Sequence, residues 1–309
     1  MNLYLEHFGL REAPFSLTPD TAFFFEGGPH REALETLEVA LAGGEGFLKV
    51  TGEVGTGKSL LCRTLLNMQG ERYYAAYVPN PELTPAGINR ALADELGLEL
   101  PSNLQKHGLY KAIARRLIGL AEEGLQPILV IDEAQAMPEA TLEALRLLTN
   151  LETEKRKLLQ VVLFGQPELD ERLEQPSVRQ LRQRITFSHR LRPLTQAEVK
   201  HYLAHRLERA GAPAVAFTGR ASRLLGRASG GIPRLVNILA HKSLMVAYGE
   251  GEHRLRPRHV KRAIDDTEGL PGGRPRRGRR RTYGAAAVAL SAAALWLALA
   301  AEILPGGPA

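Results

Sequence analysis

A glycine-rich stretch at residues 52–59, GEVGTGKS, has the residue types and the spacing of a phosphate-binding loop. It matches the pattern GxxxxGK[ST], with an apolar strand predicted before it and a helix after it. Glycines let backbone N–H groups converge on phosphate oxygens, and the helix N-terminus adds partial positive charge. The stretch therefore predicts a P-loop for ATP, in which Lys58 contacts the β and γ phosphates and the Ser59 hydroxyl coordinates Mg²⁺. The predicted nucleotide contacts are Gly52, Glu53, Val54, Gly55, Thr56, Gly57, Lys58, Ser59 and Leu60.

Two adjacent carboxylates, Asp132 and Glu133, follow the apolar run ILVI at residues 128–131. This places them at the carboxyl end of a buried strand, where open α/β sheets bind their ligands. Adjacent carboxylates are often only a solvated turn. In a chain with a P-loop, however, Asp132 is expected to bind Mg²⁺ and Glu133 to polarise the water that attacks the γ phosphate.

Several further polar residues fit the same chemistry. Gln166 ends the strand-like run LLQVVLFG, where its amide is expected to contact the attacking water or the γ phosphate, unless it is a plain loop amide. One of Arg179, Arg182 and Arg184 is expected to reach the γ phosphate of a neighbouring subunit as an arginine finger. Arg234, in GGIPR, begins a helix and is expected to contact bound nucleotide, with a helix-start ion pair as its alternative role.

The elements that must position these residues alternate between strands and helices. Strands are predicted at 46–51, 73–78, 127–131, 158–164 and 185–191. Helices are predicted at 57–68, 84–96, 104–123, from residue 138 onward, and at 167–173. This alternation implies an α/β fold with a parallel sheet that has helices on both faces.

After residue 193 the strand signal stops, and helical periodicity appears at 195–209, 218–228, 233–248 and 257–266. Thr195 with Glu198 three residues later makes a capping box, which places a helix start near Thr195. The predicted domains are therefore an α/β nucleotide-binding domain at 1–193 and a small all-helical lid at 194–269.

Composition and length exclude several classes of protein. The 309 residues are 44% hydrophobic and 24% charged, as in an ordinary globular protein of one large or two smaller domains. The single cysteine, Cys62, excludes an intramolecular disulfide, and no Cys/His cluster offers a zinc site. The first 25 residues carry charges throughout, which is unlike a secretory signal peptide.

The net charge of +6 equals the number of arginines in one predicted linker, residues 270–283. Without this linker the body of the chain is neutral, so the charge argues for a local anionic partner near residue 280 and against a broad nucleic-acid-binding face. The linker arginines are Arg274, Arg276, Arg277, Arg279, Arg280 and Arg281.

Residues 284–301 carry no charge, and we predict a single transmembrane helix at 284–303 followed by a short tail at 304–309. The preceding arginines fit the positive-inside rule and place the ATPase domain in the cytoplasm, at the cytoplasmic membrane. Because many of these residues are alanine, a surface-lying helix is the alternative structure, and a nucleic-acid-binding tail is the alternative role of the linker.

The motifs GEVGTGKS, VIDEAQ, FGQPEL, LRQRI and GIPR occur in the order typical of the ExeA/GspA branch of AAA+ ATPases, which residues 1–268 resemble. The opening YLEHFGLREAPFSLTPD strengthens the resemblance. It implies a base pocket that includes Phe8, Pro14 and Phe15, with an aromatic core as the alternative. It further implies an ATPase core of Lys58, Ser59, Asp132 and Glu133, with Gln166 as sensor 1, Arg184 as the finger and Arg234 as sensor 2.

ExeA-like proteins combine a cytoplasmic ATPase, one membrane span and a larger periplasmic part that engages peptidoglycan. Because only eight residues follow Ala301, the layout more closely resembles the short MshM-like ATPases of type IV pilus biogenesis, and wall binding is not expected.

The expected function is that of a membrane-tethered AAA+ ATPase that uses ATP to assemble an envelope machine, either a type II secretion system or a type IV pilus. Its expected partners are further copies of itself in a ring, the inner membrane, and secretion or pilus components. A DNA-binding ATPase of the transposition-helper type is the alternative.

Overall fold

Five parallel strands form the central sheet, in the spatial order β2-β3-β4-β1-β5. The computed structural model describes residues 3–67, 72–101, 104–152, 157–212 and 215–271. The strands are β1 (Phe47–Gly52), β2 (Tyr73–Val78), β3 (Gln126–Ile131), β4 (Gln160–Gly165) and β5 (Ile185–Leu191). All five strands were predicted from the apolar runs, with the bounds shifted by no more than two residues.

Helices cover both faces of this sheet because β3 and β4 are apolar at nearly every position. Successive residues of a strand point to opposite faces, so Val161 and Leu163 belong to one hydrophobic cluster and Val162 and Phe164 to another. The helices that precede β5 in the chain are α1 (Leu3–Phe8), α2 (Pro29–Ala42), α3 (Lys58–Asn67), α4 (Pro85–Glu95), α5 (Lys106–Glu122), α6 (Glu139–Leu148), α7 (Glu168–Leu173) and α8 (Arg179–Arg182). Helices α2 and α3 pack on one face, and α4, α5 and α6 on the other.

Four more helices follow the sheet: α9 (Gln196–Arg209), α10 (Gly219–Ser229), α11 (Pro233–Gly249) and α12 (Pro257–Asp265). The predicted capping box is present, since the Thr195 hydroxyl accepts from the Glu198 N–H and the Glu198 carboxylate accepts from the Thr195 N–H. The region is not wholly helical, because β6 (Ala216–Phe217) pairs with β7 (Arg254–Leu255). Two-residue strands are too short to leave a periodic signal in the sequence.

The N-terminal segment packs with these helices and not with the sheet. Tyr4, Phe8 and Phe15 are buried in the same hydrophobic cluster as the residues of α9, α10, α11 and α12. Residues 3–23 therefore belong to the helical core, whereas the boundary drawn at residue 193 groups them with the α/β domain. The sequence did not predict this packing, because the other residues of the same core lie almost 200 positions later in the chain.

Within the residues that the structure describes, no helix is both long and apolar enough to cross a membrane. Residues 272–283 of the predicted linker, the predicted transmembrane helix at 284–303 and the tail at 304–309 lie outside the described residues.

Candidate active site

The carboxyl ends of three neighbouring strands bring the predicted site residues together. The P-loop follows β1, Asp132 follows β3, and Gln166 follows β4. The register pairs Thr51 with Gly165 and Ile131 with Leu163, so the three loops leave the sheet at the same edge. This is the edge at which parallel α/β sheets bind ligands.

Lys58 is the first residue of α3, and its side chain is buried against the P-loop. Its Nζ donates to the carbonyl oxygens of Gly52 at 2.7 Å and of Glu53 at 3.0 Å. Burial lowers the pKa of Lys58, while the charges of Glu133 and Asp132 oppose that shift. The cation is thus placed at the loop apex, where the first N–H groups of α3 also lack helical partners.

Gly57 allows a buried histidine to support the P-loop from α2. The Nε2 atom of His30 lies 2.7 Å from the carbonyl oxygen of Thr56, and because a carbonyl only accepts, Nε2 carries the proton. A Cβ atom at Gly57 would lie 2.5 Å from this nitrogen, and Gly57 has a φ of +101°. Burial lowers the pKa of His30, which keeps the ring neutral.

Gly55 allows the helical region to contact the opposite side of the loop. The backbone N–H of Arg234 donates to the Gly55 carbonyl oxygen at 3.1 Å. A Cβ atom at Gly55 would lie 2.7 Å from the Cβ of Arg234. The Arg234 side chain is exposed, and among the described residues it forms no ion pair, which disfavours its alternative role at the helix start.

Asp132 and Ser59 form an oxygen-rich pair. The Ser59 hydroxyl hydrogen-bonds the Asp132 carboxylate, and the N–H of Glu133 donates to Asp132 Oδ1 at 2.9 Å. Burial raises the pKa of Asp132, and these two hydrogen bonds oppose that shift. A hydroxyl next to a carboxylate matches the hard oxygen ligands that Mg²⁺ prefers, so these residues fit the predicted metal.

Glu133 is the only described residue other than glycine with a positive φ, at 51°. Its carboxylate accepts hydrogen bonds from the side-chain amides of Gln135 at 2.5 Å and Gln166 at 3.1 Å. Burial acts to raise the pKa of Glu133, but the two amides and the charge of Lys58 outweigh it and hold the pKa below its usual value. Glu133 is therefore a carboxylate at neutral pH, as a residue that polarises water must be.

Gln135 connects the loops that follow β3 and β4. While its amide nitrogen donates to Glu133, its amide oxygen accepts from the backbone N–H of Gln166 at 2.9 Å. The Arg172 guanidinium donates to the Gln135 backbone carbonyl. Gln135 thus fixes both the predicted catalytic carboxylate and the predicted sensor.

A cavity of about 210 Å³ lies between the P-loop, the sheet edge and the helical region. Lys58, Ser59, Glu133, Gln166 and Arg234 line it, so most of the predicted site residues share one space. The same cavity is lined by Val54, Gly55, Gly57 and Leu60 of the loop region and by Tyr202, Arg206, Pro233 and Asn237 of the helical region.

The predicted base pocket needs a correction. Phe8 and Phe15 are buried in the helical core and Pro14 does not line the cavity, whereas the residues that follow them, 16–20, do line it. The aromatic rings anchor this segment. A relay holds it to the helical region, because the Tyr202 hydroxyl donates to Asn237 Oδ1 at 2.9 Å and Asn237 Nδ2 donates to the Ser16 carbonyl at 3.3 Å.

The three candidate finger arginines lie away from this cavity. Nη1 of Arg184 is 3.3 Å from both the Arg146 carbonyl oxygen and the Thr149 hydroxyl, so the guanidinium binds the C-terminal end of α6. Arg179 and Arg182 are exposed, and their side chains form no hydrogen bond or ion pair with the described residues. None of the three contacts the cavity of its own subunit.

Comparison with known proteins shows what the chain is similar to. A family model described as an AAA domain matches residues 41–173. The General secretion pathway protein A of Aeromonas hydrophila is 40% identical over 268 residues, which cover 87% of this chain and 49% of that protein. The predicted resemblance to ExeA/GspA-like AAA+ proteins is confirmed. The chain spans about half the length of this curated relative.

Solved structures support the same fold. Cdc6p of Pyrobaculum aerophilum has a TM-score of 0.63 at 20% identity, over 85% of this chain and 74% of that one. The ORC2 protein of Aeropyrum pernix, solved as ADPNP and ADP complexes, has a TM-score of 0.62 at 17% identity. The match covers 84% of this chain and 72% of that one. The α/β AAA+ P-loop fold with a parallel sheet flanked by helices is therefore confirmed, and this fold implies nucleotide binding.

Besides the lining residues 16–20, Tyr202, Arg206, Pro233 and Asn237, two residues that support the P-loop and the carboxylate were missed from the sequence. Gln135 stands inside the motif IDEAQ, and its position two residues after Glu133 was the available signal. His30 had no comparable signal, since α2 was not predicted and an isolated histidine is usually a core residue.

We predict that His30→Phe weakens ATP binding by about five- to tenfold with little change in kcat, because an unpaired buried carbonyl costs about 1–3 kcal/mol and loosens the loop. His30→Gln retains an N–H donor and is the matched control, expected to restore most of the affinity. Equilibrium binding and steady-state kinetics separate the two effects. A Phe variant that melts earlier but binds ATP normally would limit His30 to packing.

Proposed function

We propose that this chain is a membrane-tethered AAA+ ATPase that couples ATP binding and hydrolysis to the assembly of an envelope machine of the type II secretion or type IV pilus class. The observation that carries the ATPase proposal is the cluster of Lys58, Ser59 and Glu133 around one cavity at the sheet edge, with Asp132 next to Ser59. The 40% sequence identity with General secretion pathway protein A supports a role in secretion.

The nucleotide-binding role is assigned to the P-loop residues 52–60. Lys58 is held at the loop apex by two backbone carbonyls, and we propose that it exchanges them for phosphate oxygens. Ser59 and Asp132 would hold Mg²⁺, which supplies charge neutralisation for the phosphates when bound. The ADPNP and ADP complexes of the ORC2 relative support this assignment.

The hydrolytic role is assigned to Glu133, with Gln166 and Gln135 as its positioning residues. The Glu133 carboxylate is ionised and half-buried, and the two amides fix its direction. An ionised carboxylate held in this way accepts a proton from water and orients it. Arg234, which is exposed at the cavity and unpaired among the described residues, supplies a cation from the helical region.

An oligomer supplies the remaining cation in this proposal. None of Arg179, Arg182 and Arg184 lines the cavity of its own subunit, so the one that serves as the finger would have to reach γ phosphate from a neighbouring copy. Arg184 is our choice from the sequence resemblance. In the monomer its guanidinium contacts the end of α6, and it would have to exchange those two weak contacts on assembly.

Membrane attachment is assigned to residues 284–303, with the ATPase domain on the cytoplasmic side. The charge-free run 284–301 and the six arginines before it support this proposal. Eighteen helical residues extend roughly 27 Å, which is slightly short of a hydrocarbon core of about 30 Å.

We predict that Glu133→Gln retains ATP binding but slows hydrolysis by about 100- to 10,000-fold, the usual contribution of a positioned acid–base group. Lys58→Ala is expected to lose binding instead, because it removes the cation at the loop apex. Glu168→Gln, an exposed carboxylate near Lys58, is the matched control and is expected to turn over normally. Binding and phosphate-release assays test these variants, and near wild-type turnover in Glu133→Gln would refute its role.

We predict that Arg184→Ala binds ATP yet hydrolyses it about 1,000-fold more slowly or worse, as expected for an arginine finger. Mixing it with Lys58→Ala is expected to restore part of the activity at hybrid interfaces. Arg179→Ala and Arg182→Ala are matched comparisons, and a large loss in one of them instead would transfer the role to that arginine. Full activity of an isolated monomer would end the proposal of a shared site.

We predict that the full chain stays in the membrane fraction after high-salt and carbonate washes and needs detergent for release, because an apolar helix spans the bilayer. A chain truncated after Pro271 is expected to be released by the same washes. Release of the full chain would show that the tether is wrong, and retention of the truncated chain would place the anchor elsewhere.

A further inference from the structure

Positive charge is concentrated in the helical region of this protein. Residues 194–271 contain 13 Lys and Arg against 7 Asp and Glu, a net charge of +6, whereas residues 1–193 contain 21 against 26, a net charge of −5. The neutral body predicted from the sequence is therefore a sum of two regions of opposite sign. Net charge of this kind directs association with charged partners such as membranes and nucleic acids.

Helix α10 carries the part of this charge that is least neutralised. Its sequence, GRASRLLGRAS, contains three arginines and no acidic residue. Arg220, Arg223 and Arg227 are all exposed, and at 100° per residue they lie within about 60° of one another around the helix. They form a row of roughly 10 Å, while Ala221 and Leu225 face the core.

The arginines of α12 and the arginine that precedes it are different, because they are neutralised inside the region. Arg258 and Arg262 form ion pairs with Glu250, and Arg256 pairs with Glu252. In the part of the chain that the structure describes, the three guanidinium groups of α10 have no hydrogen-bond or ion-pair partner. The α10 face is therefore a row of free basic side chains in the described helical region.

The helices packed against α10 carry exposed carboxylates, Glu208 and Asp265, as well as exposed lysines. Lys200 on α9 and Lys261 on α12 are exposed, and both helices pack against α10. None of the large exposed hydrophobic residues of the described chain lies on α10. A partner for such a face is bound by charge and must be anionic.

The position of Pro271 indicates which anionic partner this is. A Cβ atom at Gly230, the residue that ends α10, would lie 3.4 Å from Cγ of Pro271, so the chain passes the end of α10 at that point. Twelve residues, rich in arginine, separate Pro271 from the charge-free run 284–301. Twelve residues reach at most roughly 40 Å, which keeps the end of α10 near any membrane that holds this run.

We propose that the exposed face of α10, formed by Arg220, Arg223 and Arg227, docks on the surface of an anionic phospholipid membrane. This inference rests on the proposed membrane attachment. Docking would orient the helical region toward the bilayer and the α/β region, with its net negative charge, away from it. The attraction between the arginines and the anionic headgroups is electrostatic, so binding weakens as the salt concentration rises.

The test uses residues 1–271, which contain every residue of the three hydrophobic clusters and so retain the complete folded core. Sedimentation is measured with vesicles of phosphatidylcholine containing phosphatidylglycerol and with vesicles of phosphatidylcholine alone. We expect binding only to the anionic vesicles. The variant Arg220→Gln/Arg223→Gln/Arg227→Gln is expected to bind on the order of 100-fold more weakly, since each basic residue near such a surface contributes roughly fivefold.

The matched control removes three positive charges from the other region. Lys106→Gln/Lys111→Gln/Arg115→Gln changes exposed residues of α5 that have no side-chain ion pair among the described residues. It is expected to bind anionic vesicles like the parent chain. Circular dichroism melting of both triple variants checks that each is folded.

Three outcomes would overturn the inference: no binding to anionic vesicles, equal weakening in both triple variants, or α10-dependent binding of duplex DNA in place of vesicles. The truncated chain lacks residues 284–303, so its behaviour is independent of the proposed anchor. Failure of the anchor appears instead as release of the full chain by carbonate.

Discussion

The conformation of the P-loop depends on contacts that press on it from two sides. His30 contacts the Thr56–Gly57 peptide from α2, and Arg234 contacts Gly55 from α11. Both approaches are possible only because glycine stands at the two contact positions. The absence of a side chain at Gly55 and Gly57 therefore makes room for Arg234 and His30. The P-loop is in direct contact with two helices, α2 and α11, that are far apart in the sequence.

The contact at Gly55 connects the P-loop directly to the helical region. The N–H of Arg234 is bonded to the loop, while its guanidinium lies free at the cavity. The same region also holds residues 16–20 at the cavity through Asn237. The cavity is lined by the P-loop, the N-terminal segment and the helical region, so a ligand bound there would contact all three.

Burial and hydrogen bonding give the two adjacent carboxylates different properties. Asp132 is almost fully buried, and burial raises its pKa by destabilising the ionised carboxylate. A cation bound next to the carboxylate would stabilise the ionised form. Glu133 adopts a left-handed backbone conformation that points it to two amide donors, which lower its pKa. Residues in this conformation typically cost about 1–3 kcal/mol, which the hydrogen bonds of Gln135 and Gln166 help to offset. One residue is thereby suited to metal binding, and its neighbour stays ionised and can orient a water molecule.

The sequence alone determined the five strands, the P-loop, the carboxylate pair and the helices after residue 195, because each leaves a local signal in periodicity or spacing. Tertiary structure alone decided the remainder. The N-terminal rings belong to a core almost 200 residues away, His30 supports a loop 26 residues later, and Gln135 bridges two strands that are adjacent only in the sheet. Only the tertiary structure showed that the three arginines of α10 are unpaired among the described residues. Composition gives the number of charges, but the fold decides which of them form ion pairs.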